Sequence, residues 1–362
     1  MKTFIKILLS FCIIFACKSC DKKKSDLLTI PVDVNQNAPL SLSDIADEVK
    51  AIELETTDQS LIGNWVMHDR LLVSDDYILF LDGSAISKIL LFDINGTFIR
   101  QIGNRGQGPG EYARVIDIAA DFENNKIYAT TSTEKIICYD FNGTFINESR
   151  TNDITYLHFT NKTLLAIGSC FEPGEISEHK MRTMIYKINS KLFFTDSLKI
   201  KNLDLTARIY VTNTNCNYIT CLEEDMYIYY PEITPKSFMH KYIFNDTLYQ
   251  IKDKALIPHL RLKFSDEKSS EYKNVHYIYR SARYTFTKYI NEAVECFFCY
   301  DMKEKKGYNM KVGYIDDIHI GEKVRIRPLD SDANKFYYLH TNMSDSQKEE
   351  PNPTLYIGTL KK

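Results

Sequence analysis

Two stretches that repeat each other decide the fold: residues 89–100 read ILLFDINGTFIR, and residues 136–147 read IICYDFNGTFIN. Seven of the twelve positions are identical, and the stretches start 47 residues apart. Each contains an apolar strand, then Asn-Gly, then a second apolar strand, which is the pattern of a β-hairpin. Because Asn and Gly tolerate positive φ, we expect a two-residue type I′ turn at each Asn-Gly.

Weaker copies of the hairpin follow along the chain. A third copy, IYKINSKLFF at 185–194, places Asn189 47 residues after Asn142, and a fourth, HKYIFNDTLYQI, occupies 240–251. A lone hairpin is marginal in water, so each copy must stack on its neighbours to bury its apolar faces. Repeats of about 40 to 50 residues built from short strands predict a β-propeller.

The number of blades follows from the repeat spacing. From Thr29 to Lys362 there are 334 residues, which at spacings of 47 and 56 allow six or seven blades. We predict an all-β, six-bladed β-propeller with four-stranded antiparallel blades over residues 29–362. The apolar strand at 49–56 is expected to pair with the C-terminal blade, so that an N-terminal strand closes the ring and leaves no long edge exposed.

The N-terminal residues have the pattern of an export signal. Lys2 and Lys6 precede an apolar run of ten residues at 7–16, too short for the ~20 residues of a membrane-spanning helix. The run ends at Cys17 in a sequence that resembles the lipobox of bacterial lipoproteins. The resemblance implies removal of residues 1–16 and acylation of Cys17, with Cys20 as the alternative acceptor.

The polar stretch that follows the signal is predicted to act as a flexible tether over residues 17–28. More than one acyl chain at its start would anchor the protein firmly to a membrane without a spanning segment. The resemblance points to the outer membrane of a bacterium. The run Asp21–Asp26, DKKKSD, mixes acidic and basic residues. We therefore leave open whether the protein faces the periplasm or the cell surface.

The overall charge argues against nucleic acid as a partner. Lys+Arg number 45 against 48 Asp+Glu, a formal net charge of -3, and there is no long basic block. A nucleic-acid surface needs clustered positive charge to neutralise phosphates. The expected partners are a protein or a glycan at one end of the propeller, and the lipid anchor is the only expected contact with the membrane.

Several segments carry a resemblance to a known group. The strand at 49–56, the repeated FD-x-NGTFI and the loop IGNRGQGPGEY at 102–112 resemble the NHL repeat and the six-bladed β-propeller lipoproteins of Bacteroidetes. In NHL propellers a similar glycine-rich stretch links the outer strand of one blade to the inner strand of the next. The resemblance implies a binding or scaffold protein and no catalytic residue.

The glycine-rich loop at 103–110 also has a possible functional interpretation. A phosphate-binding loop would need Gly-Lys-Ser/Thr and a following helix, but Pro109 follows Gly108 and a strand is predicted next. We therefore expect a tight crossing between blades. Arg105, Glu111 and Arg114 remain candidates for a ligand-facing surface at the end of the channel.

Cysteine spacing argues against a redox motif. In a strand, the Cα atoms of Cys296 and Cys299 would lie about 10 Å apart with side chains on opposite faces, beyond the ~7 Å limit for a disulfide. Cys216 and Cys221 could form a disulfide if a turn brings two strands together, and the sequence leaves this open.

No metal motif is evident. The eight His residues are scattered, with no H-E-x-x-H pattern. Acidic pairs at likely turns are expected to be solvated. A calcium ion near the propeller axis is an alternative, with Asp117, Asn213 and Asp317 as weak candidate ligands.

The sequence thus favours a non-enzymatic binding or scaffold β-propeller, tethered through Cys17 and without a cofactor. The alternative is a propeller enzyme, a metal-assisted lactonase or lyase that uses carboxylates at the axis.

Overall fold

The computed structural model describes residues 27–63, 70–84, 87–151, 154–172, 179–205, 219–230, 232–236, 239–243, 246–266, 273–341 and 351–362. The predicted signal and acylation sites at 1–26 lie outside these residues, as do Asn213 and Cys216.

The described chain folds as six small antiparallel sheets, here blades A to F. It begins with β1 (Leu28–Val32), α1 (Leu42–Ile45) and β2 (Ala46–Glu53). Blade A comprises β3 (Arg70–Val73), β4 (Tyr77–Asp82), β5 (Lys88–Asp93) and β6 (Phe98–Ile102), and is followed by β7 (Asn104–Arg105) and β8 (Glu111–Tyr112). Blade B comprises β9 (Val115–Asp121), β10 (Lys126–Thr131), β11 (Lys135–Asp140) and β12 (Phe145–Arg150).

The remaining blades follow the same order. Blade C comprises β13 (Ile154–Thr160), β14 (Thr163–Glu172), β15 (His179–Ile188) and β16 (Phe194–Leu205). Blade D comprises β17 (Ile219–Leu222), β18 (Asp225–Ile228), β21 (Thr247–Lys252) and β22 (Ala255–Phe264), with the hairpin β19 (Glu232–Lys236) and β20 (Met239–Ile243) inserted between β18 and β21. Blade E comprises β23 (Asn274–Arg280), β24 (Tyr284–Asn291), β25 (Val294–Asp301) and β26 (Lys306–Lys311), followed by the pair β27 (Tyr314–Ile315) and β28 (Lys323–Val324). Blade F comprises β29 (Arg327–Leu329), β30 (Asp332–His340), β31 (Thr354–Leu360) and, as its outermost strand, β2.

Ring closure by an N-terminal strand is confirmed. Strand β2 pairs antiparallel with β31 and places Val49 opposite Gly358, although it begins three residues before the predicted 49. At Gly358 a Cβ would lie 2.2 Å from the ring of Phe336, so only glycine allows this close approach. The first and last parts of the chain therefore share blade F.

The N-terminal segment also forms backbone hydrogen bonds with blades D and E. This arrangement was not predicted from the sequence. Strand β1 adds in parallel to β22 as a fifth strand of blade D, with Leu28 opposite Leu260. The chain then passes blade E, where the Ala38 N–H donates to the Asn309 carbonyl at 2.7 Å. It covers edges of blades D and E before it completes blade F.

The repeated hairpins lie where they were predicted, but their turn type differs from the prediction. Only Gly96 and Gly143 of the two Asn-Gly pairs have positive φ, 91° and 77°. The Gly96 N–H donates to the Asp93 carbonyl, and the Asp93 carboxylate accepts the Thr97 N–H at 2.9 Å. Each turn is thus a longer loop with glycine in the left-handed region and a bulge beside it, instead of a two-residue type I′ turn.

The two weaker copies behave differently from each other. In the third, Asn189 takes the place of Asp93, because its side-chain oxygen accepts the N–H groups of Lys191 and Phe193 at 3.0 Å. The fourth does not form the predicted hairpin: Met239–Ile243 pairs with Glu232–Lys236, while Thr247–Lys252 pairs with β18 and β22. An inserted hairpin therefore interrupts blade D.

The glycine-rich loop crosses from blade A to blade B without a helix. Strands β7 and β8 pair in parallel, and the buried Tyr112 donates its hydroxyl to the Ile102 carbonyl at 3.0 Å. Tyr139 of blade B donates to the Gly110 carbonyl at 2.8 Å. Gly103 has a φ of 66°, and its missing side chain leaves space for both tyrosine rings, which a Cβ would approach to 2.8 Å.

Apolar side chains fill the spaces between neighbouring blades. Both cysteines of the C-x-x-C sequence are buried on β25, but Cys296 packs towards blade D and Cys299 towards blade F. The prediction that they point to opposite faces of a strand is confirmed. Their separation follows from the alternation of side chains along a strand.

The two ends of the ring are distinct. Because consecutive strands of a blade run antiparallel, the turns after first and third strands lie at the same end. We call the end that carries 94–97, 141–144 and 189–193 the repeat-turn end. The first strands of blades F, A, B and C contact their neighbours in turn, which indicates that the first strands are the inner strands around the axis.

Candidate functional site

A group of polar side chains lies buried where the inner strands meet. We call Arg70, Asp117, Tyr156, His158 and Asp330 the axial cluster. They come from β3, β9, β13 and the residue directly after β29, and each is at most 6% exposed. Burying charges at such a position requires that they be paired and hydrogen-bonded.

Arg70 is the centre of this pairing. Its Nε lies 3.1 Å from Asp117 Oδ1, and its guanidinium also pairs with the Asp330 carboxylate. It donates to the Leu157 carbonyl at 3.0 Å and lies 4.6 Å from the centre of the Tyr156 ring. One guanidinium thus links four blades, as its planar set of five donors allows.

Asp330 joins the remaining members of the axial cluster. Its Oδ2 accepts the Tyr156 hydroxyl at 3.2 Å and lies 3.6 Å from His158 Nδ1. Its backbone carbonyl accepts the N–H of Cys221, on the inner strand of blade D, at 2.9 Å. On the other side of the imidazole, His158 Nε2 lies 3.4 Å from the Cys221 thiol. Blades A, B, C, D and F are therefore connected through this one site.

Burial and the neighbouring charges shift the pKa values of the side chains in the axial cluster. Burial alone would lower the pKa of His158, but the hydrogen bond with Asp330 and the contact with Cys221 raise it to about 9. Burial would raise the pKa of Asp330, yet Arg70 and His158 hold it below its ordinary value. Burial raises the pKa of Asp117 to about 6 in spite of the opposing charge of Arg70. At neutral pH two cations thus face two carboxylates, and the cluster is close to neutral.

A small cavity lies beside the axial cluster. Its volume is about 60 Å³, and His158, Asp330 and Phe159 are among the side chains that line it. Ligand pockets usually measure about 300 to 1,000 Å³. The cavity can hold a few water molecules but not a sugar or a peptide. The contacts of the axial cluster instead join the blades of the ring to one another.

A much larger groove lies between the closing blade F and blade A, at the repeat-turn end. We call this cavity of about 960 Å³ the A/F groove. Its floor includes Glu48, Thr359 and Lys335, which lie side by side on β2, β31 and β30. Its wall in blade A includes Asp75 and Asn95 from two turns.

The shape of the A/F groove has a local cause. The turn of blade A that contains Gly96 packs against the backbone of Glu53, which a Cβ on Gly96 would approach to 2.1 Å. The apolar contact between the blades includes Ile52, Leu355 and Leu339. The charged side chains of blade F at the repeat-turn end lie outside this apolar contact and are therefore accessible from the groove.

The A/F groove carries mixed charge with an acidic excess. Four acidic side chains and two lysines line it: Glu48, Glu53, Asp75, Asp332, Lys50 and Lys335. The ion pair of Lys50 with Glu48 is 3.7 Å long, and both side chains are well exposed. Unlike the axial cluster, these groups remain accessible to a polar ligand, and the groove has the volume of an ordinary ligand site.

The predicted ligand-facing residues lie on the crossing loop between blades A and B. Arg105 and Arg114 are exposed. Glu111 is half-buried, and its carboxylate folds back to accept the Gly108 N–H at 2.8 Å. None of the three lines the A/F groove or the axial cavity, and their role at a ligand surface stays a prediction.

The candidate metal ligands are separate from each other. Asp117 pairs with Arg70 in the axial cluster, whereas Asp317 accepts the Ser43 N–H at 3.0 Å at the surface. Asn213 lies outside the described residues. Within the ranges that the structure describes, no group of three or more His, Cys, Asp or Glu is placed to hold a metal ion.

Cys138, Cys221, Cys296 and Cys299 are free thiols, and all four are buried. Cys221 lies against His158 in the structure. Its predicted alternative partner, Cys216, is outside the described residues.

Of the axial cluster, only Asp117 was predicted from the sequence as a candidate site residue. The missed signal is an isolated charged residue within an otherwise apolar first strand, as in VIDIAAD around Asp117 and ITYLHFT around His158. In a propeller such side chains lie near the axis. Arg70 and Asp330 lie at the ends of strands, where charged residues are common. The surrounding sequence does not distinguish them from charged residues at the surface.

Together these features define a six-bladed β-propeller with a buried, internally paired polar cluster at its axis and an open groove beside its closing blade. The chain belongs to the family described as domain of unknown function DUF4934, whose model matches residues 27–360. No protein with a curated description matches the sequence.

Solved structures of other proteins superpose on this chain. A Bacteroides fragilis protein whose description proposes export from the cell superposes with a TM-score of 0.64 at 18% identity, covering 92% of this chain and 99% of that one. The WD40 repeats of RRP9 superpose with a TM-score of 0.42 at 10% identity, covering 90% and 99%. The β-propeller domain of Myceliophteria thermophila Cps50 (Swd1) gives 0.42 at 9% identity, covering 87% and 100%.

Among the described residues, no helix has both the length and the apolar character that crossing a membrane would require.

Proposed function

We propose that this protein is a non-enzymatic binding or scaffold propeller of the bacterial envelope, which holds a protein or a glycan at the repeat-turn end. The observation that carries the proposal is the A/F groove, about 960 Å³ of accessible space lined by charged side chains. The axial carboxylates are instead committed to Arg70 and His158. Rigid stacked blades suit a binding surface, because little ordering is needed when the ligand arrives.

We further propose that the chain is a lipoprotein of the outer membrane, anchored through Cys17 or else Cys20. Support comes from the basic and apolar pattern of residues 1–16 and from the structural similarity to a protein whose description proposes export. Membership in the NHL-like lipoproteins of Bacteroidetes is part of the same proposal.

The binding role is tested by locating the contact. The purified chain is applied to a glycan array, and in cells a photo-reactive amino acid replaces Lys335 in the A/F groove or, as a control, Lys311, an exposed residue at the end of β26 and at the opposite end of blade E. We expect glycan binding that Lys335→Glu abolishes, or a protein cross-link at position 335 alone. Binding that is insensitive to Lys335→Glu, or equal cross-linking from both positions, would contradict the proposal.

The anchor is tested with radioactive palmitate. Label should be incorporated by the wild-type chain and lost when Cys17 and Cys20 are both replaced by Ala. Label that persists in the double variant would show that the anchor is elsewhere.

The competing enzymatic function, a metal-assisted lactonase or lyase, is distinguished by metal analysis of the purified, unchelated chain. A tightly held Ca²⁺ or Zn²⁺ that is lost in Asp117→Asn would favour the enzyme.

A further inference from the structure

Large apolar side chains are exposed along one arc of the ring's outer edge. Ile99 of blade A is 37% exposed, Ile146 of blade B 47%, Phe193 of blade C 59% and Ile257 of blade D 36%. All four lie in or just after the turn between the third and fourth strands of their blades. By the alternation of strand directions, they belong to the repeat-turn end. Phe145 and Phe194 beside them are also exposed, at 39% and 43%.

These side chains recur in neighbouring blades, and the turns that carry them contact one another through polar groups. Arg100 beside Ile99 donates to the Asn142 carbonyl in the turn of blade B at 3.0 Å. Asn147 beside Ile146 donates to the Ser190 carbonyl in the turn of blade C at 3.3 Å. We call Ile99, Phe145, Ile146, Phe193, Phe194 and Ile257 the apolar arc. Several large exposed apolar side chains at one end of a fold indicate an interaction surface.

Blade D continues the arc and brings it to the start of the described chain. Lys254, in the turn before Ile257, pairs with Asp196 of blade C at 3.2 Å. Leu28 lies opposite Leu260 on the parallel strand β22, so β1 runs away from the repeat-turn end and its first residue is the one nearest to that end. From Leu260 to the start of β22 at Ala255 is roughly 17 Å of strand.

The length of the tether allows a lipid on Cys17 to reach this end. Ten residues separate Cys17 from Leu28, a span of up to roughly 35 Å when extended, about twice the distance along the strand. Lys18 and Lys22 to Lys24 lie in that segment, and Lys191 and Lys252 are exposed at the turns of the arc. Basic side chains beside apolar ones fit the anionic headgroups and acyl boundary of a lipid surface.

We propose that the apolar arc is a membrane-contact surface, which rests on the lipid surface that the acylated Cys17 reaches. The inference depends on the proposed lipid anchor and adds an orientation to it: the rim of blades A to D at the repeat-turn end lies against the bilayer. The outer edges of blades E and F then face away from it, and the A/F groove opens beside the membrane at the edge of the contact.

The test places a fluorescent reporter on the arc of the full acylated chain. The single Trp of the sequence, Trp65, is replaced by Phe, and Phe193→Trp or Ile146→Trp is added. The matched control is Val312→Trp, which is 50% exposed at the opposite end of blade E, just after β26. Each protein is reconstituted in vesicles of equal amounts of phosphatidylethanolamine and phosphatidylglycerol, with or without bromine atoms on the acyl chains.

We expect brominated lipid to quench the emission of both arc variants and to leave the Val312→Trp variant unchanged. The arc variants should also shift their emission to shorter wavelength on reconstitution. Two arc positions keep the test valid if one variant folds poorly. If the palmitate label is present but the arc variants are unquenched, or quenched no more than the control, the orientation alone is wrong. If the label is absent, the anchor itself is wrong and this orientation falls with it.

Discussion

The axial cluster and the A/F groove contain the same kinds of side chains in opposite settings. At the axis, Arg70, Asp117 and Asp330 are nearly inaccessible and their charges are directed at one another. In the groove, the side chains of Glu48 and Lys50 are more than half exposed, and the ion pair between them is 3.7 Å long. The presence of charged side chains therefore does not by itself identify a ligand site in this fold. A charged side chain is available to a ligand only if it is not already paired with another residue of the chain.

The difference also separates stability from binding. Breaking a buried ion pair strongly destabilises a protein, because the remaining charged partner stays buried without water or a counter-charge. Exposed pairs are screened by water and contribute little to folding. Substitutions at the axis should therefore change the free energy of unfolding, and substitutions in the groove should change only ligand binding.

The largest effect is expected from Asp330→Asn. The change leaves Arg70 and His158 buried without the carboxylate that they share, and we expect a loss of about 3 to 5 kcal/mol in the free energy of unfolding. Urea denaturation measures it. Asp332→Asn, the same substitution two residues along in the A/F groove, is the control and should change little. Equal losses in both variants would remove the distinction between axis and groove.

The second effect is a dependence of stability on pH that His158 causes. Its pKa is about 9 in the folded chain against the ordinary 6.5, so the folded protein holds a proton that the unfolded chain lacks between these values. The stabilisation is complete below about pH 6.5 and is lost as pH rises through about 9, with a size on the order of 3 kcal/mol.

This pH effect is measured by urea unfolding from pH 6 to pH 10 in the wild type and in His158→Gln. The variant should be less stable at pH 6 and show a flatter profile, because it has no proton to lose at this position. Profiles with the same slope would mean that His158 is not protonated in the folded chain.

A smaller loss is expected from Tyr156→Phe. Its hydroxyl bonds Asp330 and accepts the Ile219 N–H at 3.3 Å, so the change leaves a buried backbone donor without this partner. The cost should be about 1 to 3 kcal/mol in the free energy of unfolding. Tyr300→Phe, at a half-buried ring on blade E, serves as the control, and a similar loss there would show that the axial hydroxyl is not special.

The fold was predictable because its signal is local and repeated. The hairpins at 89–100 and 136–147 recur with the same spacing, and the closing strand was recognisable from its apolar pattern. The turn type was not, because the prediction considered Asn-Gly alone. Asp93 and Asp140, identical in both repeats, accept backbone N–H groups and so stabilise the longer loop. A complete account of the repeat must include the residue before the turn.

The axial cluster and the groove were hidden for a different reason. Arg70 and Asp330 are 260 positions apart, and only closure of the ring brings them together. The groove depends on how far one turn of blade A extends along blade F, which no local sequence pattern encodes. Asp117 was noticed for its charge and interpreted as a metal candidate, since its partner Arg70 could not be known from sequence.

The smallest effect on stability is expected in the A/F groove, where Lys335→Glu should change the free energy of unfolding by no more than about 0.5 kcal/mol. Lys335 lies beside Thr359 and Glu48 on the groove floor, so the reversal adds a negative charge to an already acidic surface. A ligand that contacts Lys335 should bind this variant more weakly, while the Lys311→Glu variant, changed at the opposite end of blade E, should bind normally. Calorimetric unfolding and array binding of the same samples test both statements. A strongly destabilised Lys335→Glu chain would show that the groove floor, like the axis, holds the ring together.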